Sequence, residues 1–314
     1  MARTTGKTFA ICLLAIVFIT GCSDKNTDST DTKKIDIITT FYPMYDFTKN
    51  IAGDKANITL LIPSTIEPHD WEPTPKNIGD IQKADLFVYN SAEMETWAPT
   101  IKESTSGANV AFIEASKGIT LLDEQHEEEA DHEEEGDHNH EVDPHVWLSP
   151  VLAIKEVENI TAALVKVDPN NKAYYEKNSE AYIKKLQDLD QKFKTELKNR
   201  DSSEFITQHT AFSYLANEYD LVQVPIAGLS PDQEPSAAQL AELKDFAKEN
   251  AIDIIYFEEL ASAKVANTLA EEVGAKTEVL NTLEGLSKKD QEAGENYISI
   301  MEENLMQLKK SLFK

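Results

Sequence analysis

The chain has 314 residues, 27% of them charged, and a formal net charge of −26 at pH 7. That acidity argues against nucleic-acid binding and against a polybasic membrane patch, both of which need clustered Lys and Arg. Its two cysteines, Cys12 and Cys22, both lie in the first 22 residues, so a disulfide inside the body of the fold is excluded.

Arg3 and Lys7 precede an apolar run from Phe9 to Ile19 that is too short for a membrane span, which predicts a secretory signal over residues 1–21. The run closes on Ile19-Thr20-Gly21-Cys22, which resembles a bacterial lipobox. Cys22 is therefore the expected lipid-attachment residue, holding the protein on the outer face of the cell membrane; the alternative is an ordinary signal with an incidental Cys. Arg3 and Lys7 leave with the signal, so the mature chain carries two fewer positive charges, −28. Residues 22–34 are polar enough to stay a tether. About 280 residues remain, long for one core, and suggest two domains.

From residue 35 short β-rich runs alternate with helical stretches, the pattern of parallel sheets covered by helices. Strands are expected at Ile35–Thr40, Ile58–Pro63, Leu86–Asn90 and Val110–Glu114, with helices near Tyr42–Ala52, Pro75–Lys83 and Glu95–Glu103. A second set has strands at Phe205–Gln208, Leu221–Pro225, Ile252–Phe257 and Thr277–Asn281, with helices near Phe212–Tyr219, Ser236–Glu249, Ala261–Val273 and Glu295–Leu312. Between them, Pro150–Val167 and Asn171–Asn199 read as helices. The latter has no Gly or Pro, places Tyr175, Tyr182, Leu186, Leu189 and Phe193 on one stripe, and would span about 40 Å. The fold class is α/β: two parallel-sheet lobes, 35–168 and 201–314, joined by a long helix within 169–200. A coiled-coil partner is the other reading of that stripe, but no strict heptad is sustained.

Residues 123–141 interrupt the first lobe with an almost wholly Asp, Glu and His insert, expected to be a disordered loop. His126, His132, His138 and His140 lie in it and could collect metal loosely; the other reading is a solvated acidic loop.

The remaining histidines are His69, His145 and His209, each where a strand or loop hands over to a helix. In open parallel sheets ligands bind beyond the carboxyl ends of the strands, so residues from two lobes can converge on one cleft. Pro68-His69-Asp70-Trp71 and Pro144-His145-Val146-Trp147 share a pattern. Thr74 and Ser149 are placed to cap the helices that follow, with Pro75 and Pro150 at first positions, so each His sits on a stiff lead-in. His209 follows a strand, with Thr210 available to cap the next helix. Three imidazoles plus a carboxylate suit zinc. Glu284, after the last strand, is the fourth candidate. Trp71 and Trp147 are expected to pack beneath the site, and Asp70, Asp143 and Glu258 are unranked acceptors for imidazole N–H groups.

The segments Pro-His-Asp-Trp-Glu-Pro-Thr-Pro (68–75), Asp-Pro-His-Val-Trp-Leu-Ser-Pro (143–150) and Thr-Gln-His-Thr-Ala-Phe (207–212), with the acidic His-rich insert, resemble the zinc-binding solute receptors of ABC importers over essentially the whole chain. The resemblance implies that His69 and His145 from the first lobe meet His209 and Glu284 from the second in a cleft between lobes. Zn2+ would be the transported ligand, an ABC permease in the membrane the partner, and a monomer the working form. Manganese relatives usually carry Glu and Asp at the positions of His209 and Glu284, so this chain has the zinc set. Other readings are a manganese receptor, a zinc hydrolase and a surface adhesin. A hydrolase would need an open coordination position, and no His-Glu-x-x-His or Gly-x-Ser-x-Gly pattern occurs. Metal-independent ligand binding would favour the adhesin.

Overall fold

Side chains alternate across each strand with period two, and here the two faces feed different cores. The computed structural model describes residues 1–2, 33–123 and 142–314. Cys22 and the four insert histidines therefore lie outside the described residues.

The first lobe contains β1 (Ile35–Thr39), α1 (Tyr42–Ala52), β2 (Ala56–Leu60), α2 (Pro75–Ile81), β3 (Leu86–Tyr89), α3 (Ala98–Ser104) and β4 (Ala111–Glu114). Its sheet is parallel, in the order β2-β1-β3-β4. A two-residue antiparallel ribbon, β5 (Leu122–Asp123) with β6 (Val142–Asp143), brackets the acidic insert. A turn of 3-10 helix at Val146–Leu148 then leads into α4 (Pro150–Val167). After a second such turn, α5 (Lys172–Glu196) runs for 25 residues.

The second lobe follows with β7 (Glu204–Thr207), α6 (Ser213–Glu218), β8 (Val222–Pro225), α7 (Ala237–Glu249), β9 (Ile254–Phe257), α8 (Lys264–Val273), β10 (Lys276–Val279), α9 (Lys288–Ala293) and α10 (Tyr297–Leu312). Its sheet is also parallel, ordered β10-β9-β7-β8.

Ile37, Leu86 and Val88 enter one large core, whereas their neighbours Ile38, Phe87 and Tyr89 enter a second. Phe205, Ile254 and Tyr256 join that same large core from the second lobe, while Ile206 and Ile255 enter a third. The large core also takes Tyr175, Tyr182, Leu186, Leu189 and Phe193, the stripe of α5. This helix is thus a spine packed on both lobes, and its stripe is buried within the chain. Residues 34–314 accordingly form one compact unit.

Several boundaries differ from expectation for identifiable reasons. α3 starts at Ala98 rather than near Glu95, because the Glu95 carboxylate turns back to accept the N–H groups of Asn90 and Ser91 and the Thr40 hydroxyl. α8 starts at Lys264 rather than Ala261, after a loop in which the Ser262 carbonyl accepts from Gln208 Nε2. Thr210 does not cap α6; its hydroxyl donates to the Ala227 carbonyl. α9 has no counterpart in the sequence reading, since Lys-Lys-Asp-Gln-Glu-Ala carries no apolar period.

Candidate metal centre

Each predicted ligand is delivered by a loop whose geometry is set locally. For His69 the lead-in ends at Thr74, whose side chain accepts from Asn77 N while the Asn77 side chain returns a bond to the Thr74 N–H. With Pro75 in the first turn, α2 starts at a defined residue. For His145, Ser149 caps α4 by accepting from Leu152 N, followed by Pro150. His209 lies two residues beyond the end of β7, and its carbonyl accepts from Gln223 Nε2 and Thr207 Oγ1.

Glu284 sits on a more contorted turn. Leu283, fully buried, has φ of 59°, the left-handed region that costs a non-glycine residue about 1–3 kcal/mol. The turn is pinned: Asn304 accepts from the Asn281 N–H at 2.8 Å and donates to its carbonyl at 2.7 Å, while the Leu283 N–H bonds Asn281 Oδ1 at 2.7 Å.

The four side chains converge. The Nε2 atoms of His69 and His145 are 3.1 Å apart, and those of His145 and His209 are 3.3 Å apart. Glu284 Oε1 lies 3.3 Å from Nε2 of both His69 and His145 and 3.6 Å from that of His209. A tetrahedron of donors about 2.0–2.1 Å from a zinc ion has edges of roughly 3.3–3.4 Å, so these separations are those of a zinc-sized cage. Lone pairs facing one another this closely need a cation or protons between them.

A carboxylate behind each buried imidazole fixes which nitrogen faces the centre. Asp143 Oδ1 accepts from both the N–H and Nδ1 of His145, each at 2.8 Å. Glu258 Oε1 accepts from the N–H of His209 at 3.2 Å and from Nδ1 at 2.6 Å. Two of the three candidate acceptors therefore meet a site imidazole, whereas Asp70 is exposed. Trp147 packs against His145 with ring centroids 5.1 Å apart and donates from Nε1 to the Thr282 carbonyl. Trp71 packs on Trp97.

Glu67 escaped the sequence reading. Its Oε1 accepts the His69 N–H at 3.1 Å, and its other oxygen is buried without a hydrogen-bond partner. The signal was present: Glu67-Pro68-His69 and Asp143-Pro144-His145 are both acid-Pro-His, with the acid accepting the main-chain N–H of the His. The shorter Asp also meets the ring.

The electrostatics follow from these pairings. Burial works against the imidazolium of His209, but the carboxylates of Glu258 and Glu284 outweigh it and hold His209 well above the ordinary range. Burial likewise opposes His145, and Asp143 turns the balance upward. His69 is lowered by burial. Burial would raise Glu284, yet bonds from the three imidazoles hold it well below the usual carboxylate value. Burial, with Glu284 nearby, pushes Glu67 up to about 9.

Two parallel α/β lobes on a shared helical spine, with polar residues gathered beyond the strand ends, define a two-lobed solute-binding protein. The chain belongs to the family of the periplasmic zinc-uptake complex component A (ZnuA), whose model matches residues 37–311. It is 61% identical over 304 residues to the high-affinity zinc uptake system protein ZnuA of Bacillus subtilis, covering 96% of this chain and 95% of that one. It is 52% identical over 300 residues to the zinc-binding lipoprotein AdcA of Streptococcus pneumoniae, covering 95% of this chain but 59% of AdcA. Among solved structures, the Zn(II)-bound ZnuA-like domain of that AdcA matches with a TM-score of 0.77 and 49% identity, over 90% of this chain and all of that domain.

Proposed function

We propose that the protein is an extracytoplasmic receptor that captures Zn2+ with His69, His145, His209 and Glu284 and delivers it to an ABC importer. The observation that carries this reading is the set of four donors from two lobes at tetrahedral-edge spacing, with His145, His209 and Glu284 buried and His69 nearly so. Three imidazoles and one carboxylate are a borderline-soft set that suits zinc better than manganese.

Four protein donors fill a tetrahedron, whereas a catalytic zinc keeps a position open for water, so a receptor accounts for the geometry better than a hydrolase does. The imidazole-backing carboxylates Asp143 and Glu258 supply the ring orientation that a tight site needs. No described helix is long and apolar enough to cross a membrane. In this reading attachment comes from a lipid on Cys22, and His126, His132, His138 and His140 gather metal ahead of the main site. Titration with Zn2+ in the presence of a competing chelator tests the reading: one tight site in the chain lacking 124–141 supports it, and no tight site there refutes it.

A further inference from the structure

The segments that deliver His69 and Glu284 touch through their main chains. The Leu286 N–H donates to the Ser64 carbonyl at 2.9 Å. At the adjacent Gly285 the approach is closer still: a Cβ there would lie 2.1 Å from the Ser64 carbonyl oxygen, 2.9 Å from its carbon and 2.8 Å from Leu260 Cδ1. Only glycine allows two backbones to come this near.

We propose that Ser64 and Gly285 form a main-chain latch that positions His69 as a zinc ligand and so sets the rate at which the metal leaves. The proposal rests on the zinc-receptor reading above. Gly285 is joined to Glu284, and Ser64 lies five residues before His69 through a tight turn closed by the Ile66 N–H on the Pro63 carbonyl at 2.9 Å. One contact therefore sets the separation of two ligand-bearing segments whose donor atoms are 3.3 Å apart.

The other ligands have independent supports. His145 is tied by Asp143 at two points, and Trp147, two residues on, reaches the Thr282 carbonyl; His209 is tied by Glu258 at two points. Glu67 holds the main-chain N–H of His69, and among the described residues no hydrogen bond reaches its Nδ1. Its side chain is also the most open of the four, 11% exposed against 1% or less. His69 is thus the ligand whose place depends most on the path of its loop. Relieving a 2.1 Å contact to the 3.4 Å at which ordinary packing begins separates the two segments by about 1.3 Å, well beyond the few tenths of an ångström a zinc–imidazole bond tolerates.

The test compares Gly285→Ala, His69→Ala and the double variant in the chain lacking 124–141, by stopped-flow zinc dissociation and by the visible spectrum of the Co2+-loaded protein. Gly285→Ala should speed dissociation by about tenfold or more, shift the Co2+ spectrum toward that of His69→Ala, and add nothing further in the His69→Ala background. An unchanged rate, or an equal acceleration with His69 already removed, overturns the latch. Should Gly285→Ala fail to fold, hydrogen exchange in the unaltered zinc-loaded protein decides: the Leu286 amide is protected if the latch forms and exchanges at a solvent-exposed rate if it does not. Absence of tight zinc binding in the unaltered chain overturns the site reading and the latch together, whereas normal binding with an inert Gly285→Ala overturns the latch alone.

Discussion

Glu258 grips His209 at two points, the main-chain N–H and Nδ1, leaving Nε2 to face His145 and Glu284. This pairing selects the tautomer in which Nε2 carries the lone pair, and its charge favours a cation on that ring. Glu258→Gln keeps an acceptor but removes the charge. Zinc affinity should fall roughly tenfold to a hundredfold with the fold retained, read by chelator competition and circular dichroism. Unchanged affinity would mean that Glu258 plays no part in ligand strength.

Proton competition should be visible above the ordinary histidine value of about 6.5, because carboxylates raise both His145 and His209. A raised imidazole pKa stabilises the metal-free fold fully below the unfolded value, and that contribution is lost as pH rises through the folded pKa. Zinc must displace these protons, so its affinity should fall with decreasing pH, by up to about a hundredfold per unit where two protons compete. The zinc-induced rise in melting temperature should correspondingly grow from pH 6 to pH 8. Calorimetry in buffers of different ionisation enthalpy counts the protons released; none released would contradict the assignment.

Asn304 pins both main-chain groups of Asn281 and thereby the left-handed turn at Leu283. Asn304→Ala leaves an N–H and a carbonyl without their partner in a largely buried turn, a loss of about 1–3 kcal/mol. The urea midpoint of the metal-free protein should drop, and zinc affinity should drop with it because Glu284 is no longer held. A lower midpoint with unaltered affinity would separate the turn from the site.

How much of this was legible in the sequence depended on local chemistry. α1 and α4 were placed to the residue: both carry an early Pro, and α4 also has a Ser cap. Capping by Thr74 was equally plain, whereas Thr210, the same residue type, spends its hydroxyl on the Ala227 carbonyl brought alongside by the β7–β8 pairing. The three proposed histidine ligands were legible through their neighbouring motifs, whereas Glu284, known only by its place after the last strand, was put forward through the family resemblance. Glu67 carried a signal that went unread, the acid-Pro-His pattern it shares with Asp143; Gly285 carried none, since it acts through the approach of a segment some 220 residues away.

Metal preference should follow the donors rather than the net charge. His209→Glu with Glu284→Asp makes the cage richer in oxygen, so the zinc-to-manganese affinity ratio should shrink, although the intrinsic order of the two ions opposes full inversion. Competitive titration of both ions, with 124–141 deleted, measures the ratio. An unaltered ratio would remove the second-lobe pair from the cage.

Deletion of 124–141 should lower total metal stoichiometry or slow uptake at scarce metal while leaving the tight site intact, since the four donors proposed for it, His69, His145, His209 and Glu284, all lie outside the insert. Retained loading by weak sites alone would show that the insert had masked an absent centre.

The most direct measurement is native mass spectrometry of the chain lacking 124–141, purified without added metal, beside its His69→Ala, His145→Ala, His209→Ala triple variant. One zinc ion per chain in the first and none in the second is the predicted result. Zinc bound at equal stoichiometry and affinity in the triple variant would contradict the account.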